Sequence, residues 1–414
     1  MHQSFHIGNR NRLYEMLENN SVMLLFSGKE VRKTNDEFYP FHASRHFVYL
    51  TGIAQKESIL LAVKDAAGSV RETLYLLPHD LLAERWTGTR LTFSQAENIS
   101  GVSDIKSLDA FEADIHKLLA LGGYGSLYLD LYRAAITDRD TPAHEFLRRT
   151  QQHYPFMNIR NADQLVRKLR LIKQPCEIEA LHKAEEITRD GILRMMRNVK
   201  PGMWEYQLKS EWEYAISQYA PIEDGFPPII SAGQNNFCIH YYSYSGQAQD
   251  GDMALCDVGA LWEGLTTDVS RGFPVNGKFS PKQKLLFDCA LETSNHMFSL
   301  VKPGMKMADV DRINREYCAQ LLVDCGALDD VKNVSRLMWH GGAHHIGWDV
   351  HDVVETPEII APGMAFCVDV GIYHEEWGIG FRLEDNCLVT ETGCENLSRA
   401  IPRTVADIES VMRK

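Results

Sequence analysis

Apolar residues along this chain fall into short blocks before residue 165 and into long helical periods after it. In the first part, Ser21–Phe26, His46–Leu50, Ser58–Val63 and Thr73–Leu77 are short runs rich in Val, Leu, Phe and Tyr, which predict strands. Ser126–Asp130 predicts another. Asn9–Asn20 and Asp109–Leu121 predict helices, the second stopped by Gly122-Gly123. This alternation predicts an α/β domain over residues 1–165. Gly122-Gly123-Tyr124-Gly125 follows a helix and precedes a strand, the reverse of a dinucleotide-binding turn. Beyond residue 165, Cys176–Asn198 and Trp204–Tyr219 have the period of long helices, separated by the helix-stopping Pro201-Gly202. Residues 166–414 form the second predicted domain.

The second domain repeats itself. Val199-Lys200-Pro201-Gly202-Met203 recurs identically as Val301-Lys302-Pro303-Gly304-Met305. Further on, Gly251–Gly259 matches Gly363–Gly371: each is an apolar run with an Asp six residues after its first Gly, followed by Val-Gly. Two matches in parallel order predict an internal duplication, two helix-plus-strand halves packed face to face. The matching aspartates, Asp257 and Asp369, would then converge on one site.

An Asp inside a buried strand is costly unless it is paired, hydrogen-bonded or bound to metal. Asp257 and Asp369 are two such residues. Asp268 follows Asp257 across a turn at Glu263-Gly264, and Glu384 shares a predicted strand face with Arg382. One Arg cannot neutralise four carboxylates. Four of the 16 histidines, His340, His344, His345 and His351, fall within residues 340–351 on a Gly-broken segment. Carboxylates plus an imidazole make a hard donor set that favours Mn(II), with Co(II), Fe(II) or Zn(II) as competitors. Two divalent ions balance four carboxylates, which predicts a two-metal site with ions about 3.5–4 Å apart.

Composition narrows the alternatives. The 414 residues exceed one ordinary domain, and 44% hydrophobic with 24% charged residues is globular. A net charge of −13 speaks against nucleic acid and anionic membranes as partners. The longest apolar runs, such as Val22–Phe26, are far short of the about 20 residues a membrane helix needs. Met1–His6 has no apolar core of a signal peptide, and the nine cysteines, all from Cys176 onward, form no CxxC pair. Reduced thiols and a cytoplasmic protein are expected.

Asp257, Asp268, His344 in His340-Gly-x-x-His344-x-x-Gly347-x-x-x-His351-Asp352, Asp369 and Glu384 together resemble the pita-bread metallopeptidases. Within them the chain resembles the M24B-like Xaa-Pro aminopeptidase (aminopeptidase P) and prolidase branch. Thr267-Asp268-x-x-Arg271-Gly-Phe273-Pro274 resembles it strongly. Phe47–Gly52 and Glu84-Arg-Trp86-Thr-Gly88 resemble the branch's amino-terminal domain. The resemblance implies an α/β creatinase-like domain before an α+β pita-bread domain with pseudo-two-fold duplication. It implies two metals on Asp257, Asp268, His344, Asp369 and Glu384, with Asp268 and Glu384 bridging and a hydroxide as nucleophile. It implies that His240 and His351 meet the substrate and that one of them stabilises the oxyanion, that His340 contacts the prolyl side, and that Arg382 holds the carboxylates in place. The implied substrates are small peptides with proline second, and the implied assembly is a homodimer or larger.

One position departs from the branch: Asp369-Val370-Gly371 stands where Glu-Pro-Gly is usual. An Asp is one methylene shorter than the Glu that binds metal and passes protons. Prolidase activity on dipeptides, another C–N hydrolase, and a weakened or inactive peptide-binding homologue therefore stay open beside the aminopeptidase. His345 has no assigned role.

Overall fold

The computed structural model describes residues 1–219, 223–354 and 358–413. They divide into two compact units, Met1–Leu169 and Arg170–Lys414.

The first unit opens with helix α1 (Gln3–Met16), strand β1 (Ser21–Phe26) and α2 (Arg45–Thr51). Strands β2 (Ile59–Lys64) and β3 (Val70–Leu76), α3 (Leu81–Thr87), α4 (Phe93–Ser100) and β4 (Ile105–Ser107) follow. Then come α5 (Phe111–Leu121), β5 (Ser126–Leu129), α6 (Pro142–His153), β6 (Asn158–Asn161) and α7 (Asp163–Leu171), in which the boundary falls. The six strands form one sheet in the order β4-β3-β2-β1-β5-β6. Val22, Leu24, Leu61, Leu127 and Leu129 pack against Phe111, Ile115 and Phe146 to make the core of one face.

His46–Leu50, expected as a strand, lies in helix α2. An unbroken apolar run this short has no readable period, and the ends decide its conformation. Gly52 is left-handed at φ 72° and returns its N–H to Val48, while Thr51 Oγ1 bonds Phe47 O, so one tight helical turn is closed. Helix α1 starts at Gln3, earlier than expected, where His2 Nδ1 accepts from the Ser4 N–H. Helices α3, α4 and α6 and strands β4 and β6 were not among the expected elements; they are short, and most of their residues are exposed or half-exposed.

The second unit begins with α8 (Pro175–Asn198) and α9 (Glu205–Ile216). The strands β7 (Glu223–Asp224), β8 (Ile229–Ala232), β9 (Met253–Val258), β10 (Ala260–Trp262), β11 (Leu265–Thr266) and β12 (Val269–Pro274) follow. After them come α10 (Pro281–Leu300), α11 (Met307–Asp324), β13 (Ala365–His374), β14 (Ile379–Val389), β15 (Cys394–Asn396) and α12 (Val405–Met412). Pro281 sits in the first turn of α10 behind a Ser280/Gln283 capping box. One core joins α8 and α10 to the inner faces of β9, β12, β13 and β14.

The duplication is physical. Val199 and Val301 cap their helices, and Gly202 and Gly304 turn the chain three residues later at φ 85° and 89°. Gly202 N–H bonds Ala248 O, and Gly304 N–H bonds Ile360 O. Met203 O then accepts from Ala248, and Met305 O from Ile360. Each copy continues through a second glycine, Gly251 at φ 87° or Gly363 at φ 83°, into an antiparallel hairpin, β9–β12 or β13–β14.

The segment carrying the clustered histidines runs along the free edge of β13. The N–H groups of Cys367, Asp369 and Tyr373 bond His344 O, Gly342 O and Leu337 O. Its far end is pinned by a buried ion cluster. Asp352 accepts from Arg170 Nη2 at 2.5 Å and from Lys173 Nζ at 2.9 Å, and these cations, outweighing burial, hold its carboxyl far below the usual range. Gly347 is required beside it, since a Cβ there would lie 2.1 Å from Asp352 Oδ2. No described helix is long and apolar enough to cross a membrane.

Two stability predictions follow from this packing. Asp352→Ala removes the buried carboxylate that Lys173 and Arg170 share, while Asp349 still pairs with Arg170, and should cost about 3–5 kcal/mol of unfolding free energy in denaturant titrations; a cost below about 1 kcal/mol would show that the cluster does not pin the segment. Burial pushes Glu185 on α8 up to about 8 from its ordinary 4.5; Asp385 reinforces this, and the Ser398 hydroxyl and Arg271 oppose it. Between these values the unfolded chain releases a proton that the folded chain keeps. Stability therefore falls as pH rises through the window and levels off above it. Glu185→Gln should raise the melting temperature by several degrees at pH 8 and by little at pH 4.5; equal shifts at both would contradict a protonated Glu185.

Candidate metal centre

Strand pairing brings the site together. In the β13–β14 hairpin Asp369 faces Glu384, Gly371 faces Arg382 and Cys367 faces Asn386. Opposed residues, and residues two apart, share a face, so all six lie on one side of the hairpin. In the other copy Asp257 on β9 faces Ser270 on β12, and Asp268 precedes β12 by one residue. Ser270 Oγ donates to Glu384 Oε2 at 2.8 Å and ties one hairpin to the other. Thr188 Oγ1 of α8 lies 2.8 Å from Thr267 Oγ1 and accepts the Ala260 N–H at 3.0 Å, which fixes the turn before Asp268.

Carboxylate oxygens of Asp257, Asp268 and Glu384 lie within 4.8 Å of one another. Ligand atoms of His344, Cys367 and Glu384 do the same. Asp369 joins neither triad; its Oδ2 lies 3.1 Å from His340 Nδ1. His344 Nε2 stands 3.3 Å from Asp268 Oδ2 and 3.6 Å from Glu384 Oε1. Arg382 Nη2 donates to Asp257 Oδ2 at 2.7 Å, and its Nη1 to Tyr373 Oη at 2.9 Å. Asn386 clamps the backbone of Asp268, accepting its N–H at 2.9 Å and donating to its carbonyl.

The histidines divide by place. His340 is half-buried, with Nε2 3.0 Å from Tyr373 Oη, and its ring occupies the space above Gly371, where a Cβ would lie 2.2 Å from Nε2. That contact is the physical reason for a glycine two residues after Asp369. His351 is exposed, its ring centroid 4.3 Å from that of His344. His240 is also exposed, stacked on Tyr242, on a segment joined to the site where Arg382 Nη1 bonds Ile239 O at 3.3 Å. His345 points elsewhere: it is 3% exposed, and its Nε2 lies 4.0 Å from Glu358 Oε2.

The electrostatics are those of anions crowded out of water. Burial pushes Asp268 well up, and the charges of Glu384 and Asp257 add to it. Burial and Asp369 bring Glu384 up to about 7. For Asp257, burial works upward, but Arg382 outweighs it and holds the carboxyl below its ordinary value. His340 is disfavoured as a cation by burial, yet Asp369 overrides this and raises it to about 9. His351 is lowered by burial and by its neighbour His344.

These residues fit divalent cations. Asp257 Oδ1, Asp268 Oδ1, Asp369 Oδ1 and Glu384 Oε1 are each buried without a hydrogen-bond partner. Buried carboxylate oxygens normally find donors. Four in one place, with an imidazole nitrogen beside them, are what a metal centre presents before its ions bind.

Several supports were not legible in the sequence. Ser270, Asn386 and Tyr373 act through cross-strand register, which a single sequence does not display. Cys367 was counted among the thiols, although its place two residues before Asp369 puts it on the same strand face.

Comparison with known proteins shows the family. Residues 179–391 match metallopeptidase family M24, and residues 6–128 match the aminopeptidase P N-terminal domain. A Xaa-Pro aminopeptidase of Haemophilus influenzae is 31% identical over 97% of this chain and 96% of its own. Zn-substituted aminopeptidase P of Escherichia coli in complex with product superposes at a TM-score of 0.91 with 29% identity, covering 100% and 99% of the two chains. The Escherichia coli enzyme with the inhibitor Pro-Leu gives 0.90 with 28% identity, covering 100% and 98%. An α/β amino-terminal domain, a duplicated pita-bread domain and this cluster of carboxylates and histidines occur together, and the chain belongs to metallopeptidase family M24, in its Xaa-Pro aminopeptidase branch.

Proposed function

We propose that this metal-dependent exopeptidase is a two-metal Xaa-Pro aminopeptidase that removes the first residue from short peptides with proline second. The observation that carries the reading is the set of four orphaned carboxylate oxygens around His344. Asp257, Asp268, His344, Asp369 and Glu384 would hold the ions, and mostly oxygen donors favour Mn(II). Two such ions supply Lewis acidity and a water acidic enough to attack at neutral pH.

The chain's own residues supply orientation and proton handling. Arg382 holds Asp257 and Tyr373, so the carboxylate face keeps its shape while substrate enters. His240 and His351, exposed at the rim, offer N–H donors to the scissile carbonyl oxygen as it turns tetrahedral. His340 borders the space a prolyl ring would take. Asp369, paired with His340, would carry a proton to the departing proline nitrogen. The names of the relatives, and a related enzyme solved with Pro-Leu, support a site for proline-containing peptides.

The test is turnover of Xaa-Pro-Xaa tripeptides and Xaa-Pro dipeptides by Mn(II)-loaded protein. Release of the first residue from tripeptides is expected, with activity lost on chelation and restored by Mn(II). Cleavage of dipeptides alone would indicate a prolidase, and cleavage of neither with two metals bound would overturn both assignments. Asp369→Glu should preserve or raise kcat, because the longer side chain extends toward the other carboxylates. A fall of about 10²-fold or more would show a site adapted to Asp.

A further inference from the structure

Cys367 is absent from the ligand set just described, yet its side chain faces the same space. It lies on the hairpin face that carries Asp369, Glu384 and Asn386, and it is fully buried. Its Sγ, a nitrogen of His344 and a carboxylate oxygen of Glu384 lie within 4.8 Å of one another. Donors on one tetrahedral ion stand about 3.5 Å apart, so small side-chain rotations bring the three to one centre. His344 Nε2 and Glu384 Oε1 already stand 3.6 Å apart. Glu384 Oε1, one of the four orphaned oxygens, is buried without a hydrogen-bond partner on this side of the pocket. The N–H of His344 points at Cys367 Sγ at 3.3 Å, the kind of donor that supports a metal-bound sulfur.

We infer that Cys367 is a sulfur ligand of the ion held by His344, and that it makes this one of the two positions selective for Zn(II) or Co(II) over Mn(II). The thiol proton leaves to solvent as the metal–sulfur bond forms. Sulfur is a soft donor and Mn(II) a hard ion, so a sulfur donor shifts preference along the series toward the softer metals. The other position, among Asp257, Asp268 and Glu384, keeps an all-oxygen set. The inference rests on the metal centre proposed above.

The test is a Co(II) titration of the metal-free full chain, followed by absorption spectroscopy. A thiolate-to-cobalt charge-transfer band in the near ultraviolet is expected alongside the visible d–d bands. Cys367→Ser and Cys367→Ala should lose the charge-transfer band, keep the d–d bands and keep the melting temperature of the metal-free protein. In competition assays these variants should bind Zn(II) on the order of 10-fold or more weakly, with Mn(II) little changed. d–d bands without a charge-transfer band in the unaltered protein, or a band that survives both substitutions, would overturn the sulfur ligand and leave the two-metal reading standing. No Co(II) binding at all would overturn both.

Discussion

Four carboxylates share one buried pocket, and the rest of the second unit is arranged around the cost of keeping them there. At the separations found here like charges repel strongly, and no bulk water screens them. The protein answers in layers. Arg382 is aimed at Asp257, and Ser270 donates to Glu384. His340 is drawn to Asp369, and Asn386 grips the backbone of Asp268 without neutralising its side chain. None of these contacts uses up the four oxygens that face inward. The hydrogen bonds fix positions and leave charge over, which is the balance a cation site requires.

Much of this was legible in the sequence because costly residues stand out. An Asp in an apolar run and an imidazole cluster on a Gly-broken segment are exceptions to ordinary core chemistry. The exact pentapeptide repeat exposed the duplication before any contact was known. The pieces that were not legible depend on register or on chain ends. His46–Leu50 is a helix because Gly52 closes it, and neither its composition nor its period says so. Ser270 meets Glu384 across two hairpins, and nothing in the order of residues announces that pairing. Asp352 was visible as part of a motif, but its two cations, Arg170 and Lys173, come from the far end of the unit.

The departure at Asp369 can now be placed in three dimensions. The residue stands on the right strand, in register with Glu384, and its neighbour Gly371 leaves room for the His340 ring. What has shortened is the side chain, and its Oδ2 has settled on His340. The backbone frame and the carboxylate reach are therefore separate variables at this position.

The duplication reaches beyond symmetry of form. Each copy contributes a turn glycine, a crossing pair of backbone bonds and a hairpin with an aspartate, yet the pocket lies on the seam where the copies meet. A lone copy would expose its acidic face to solvent and enclose nothing. To form the same pocket it would have to pair with a second identical chain about a two-fold axis. What is now a covalent seam would then be a subunit interface, and joining the copies in one chain makes assembly of the pocket independent of protein concentration.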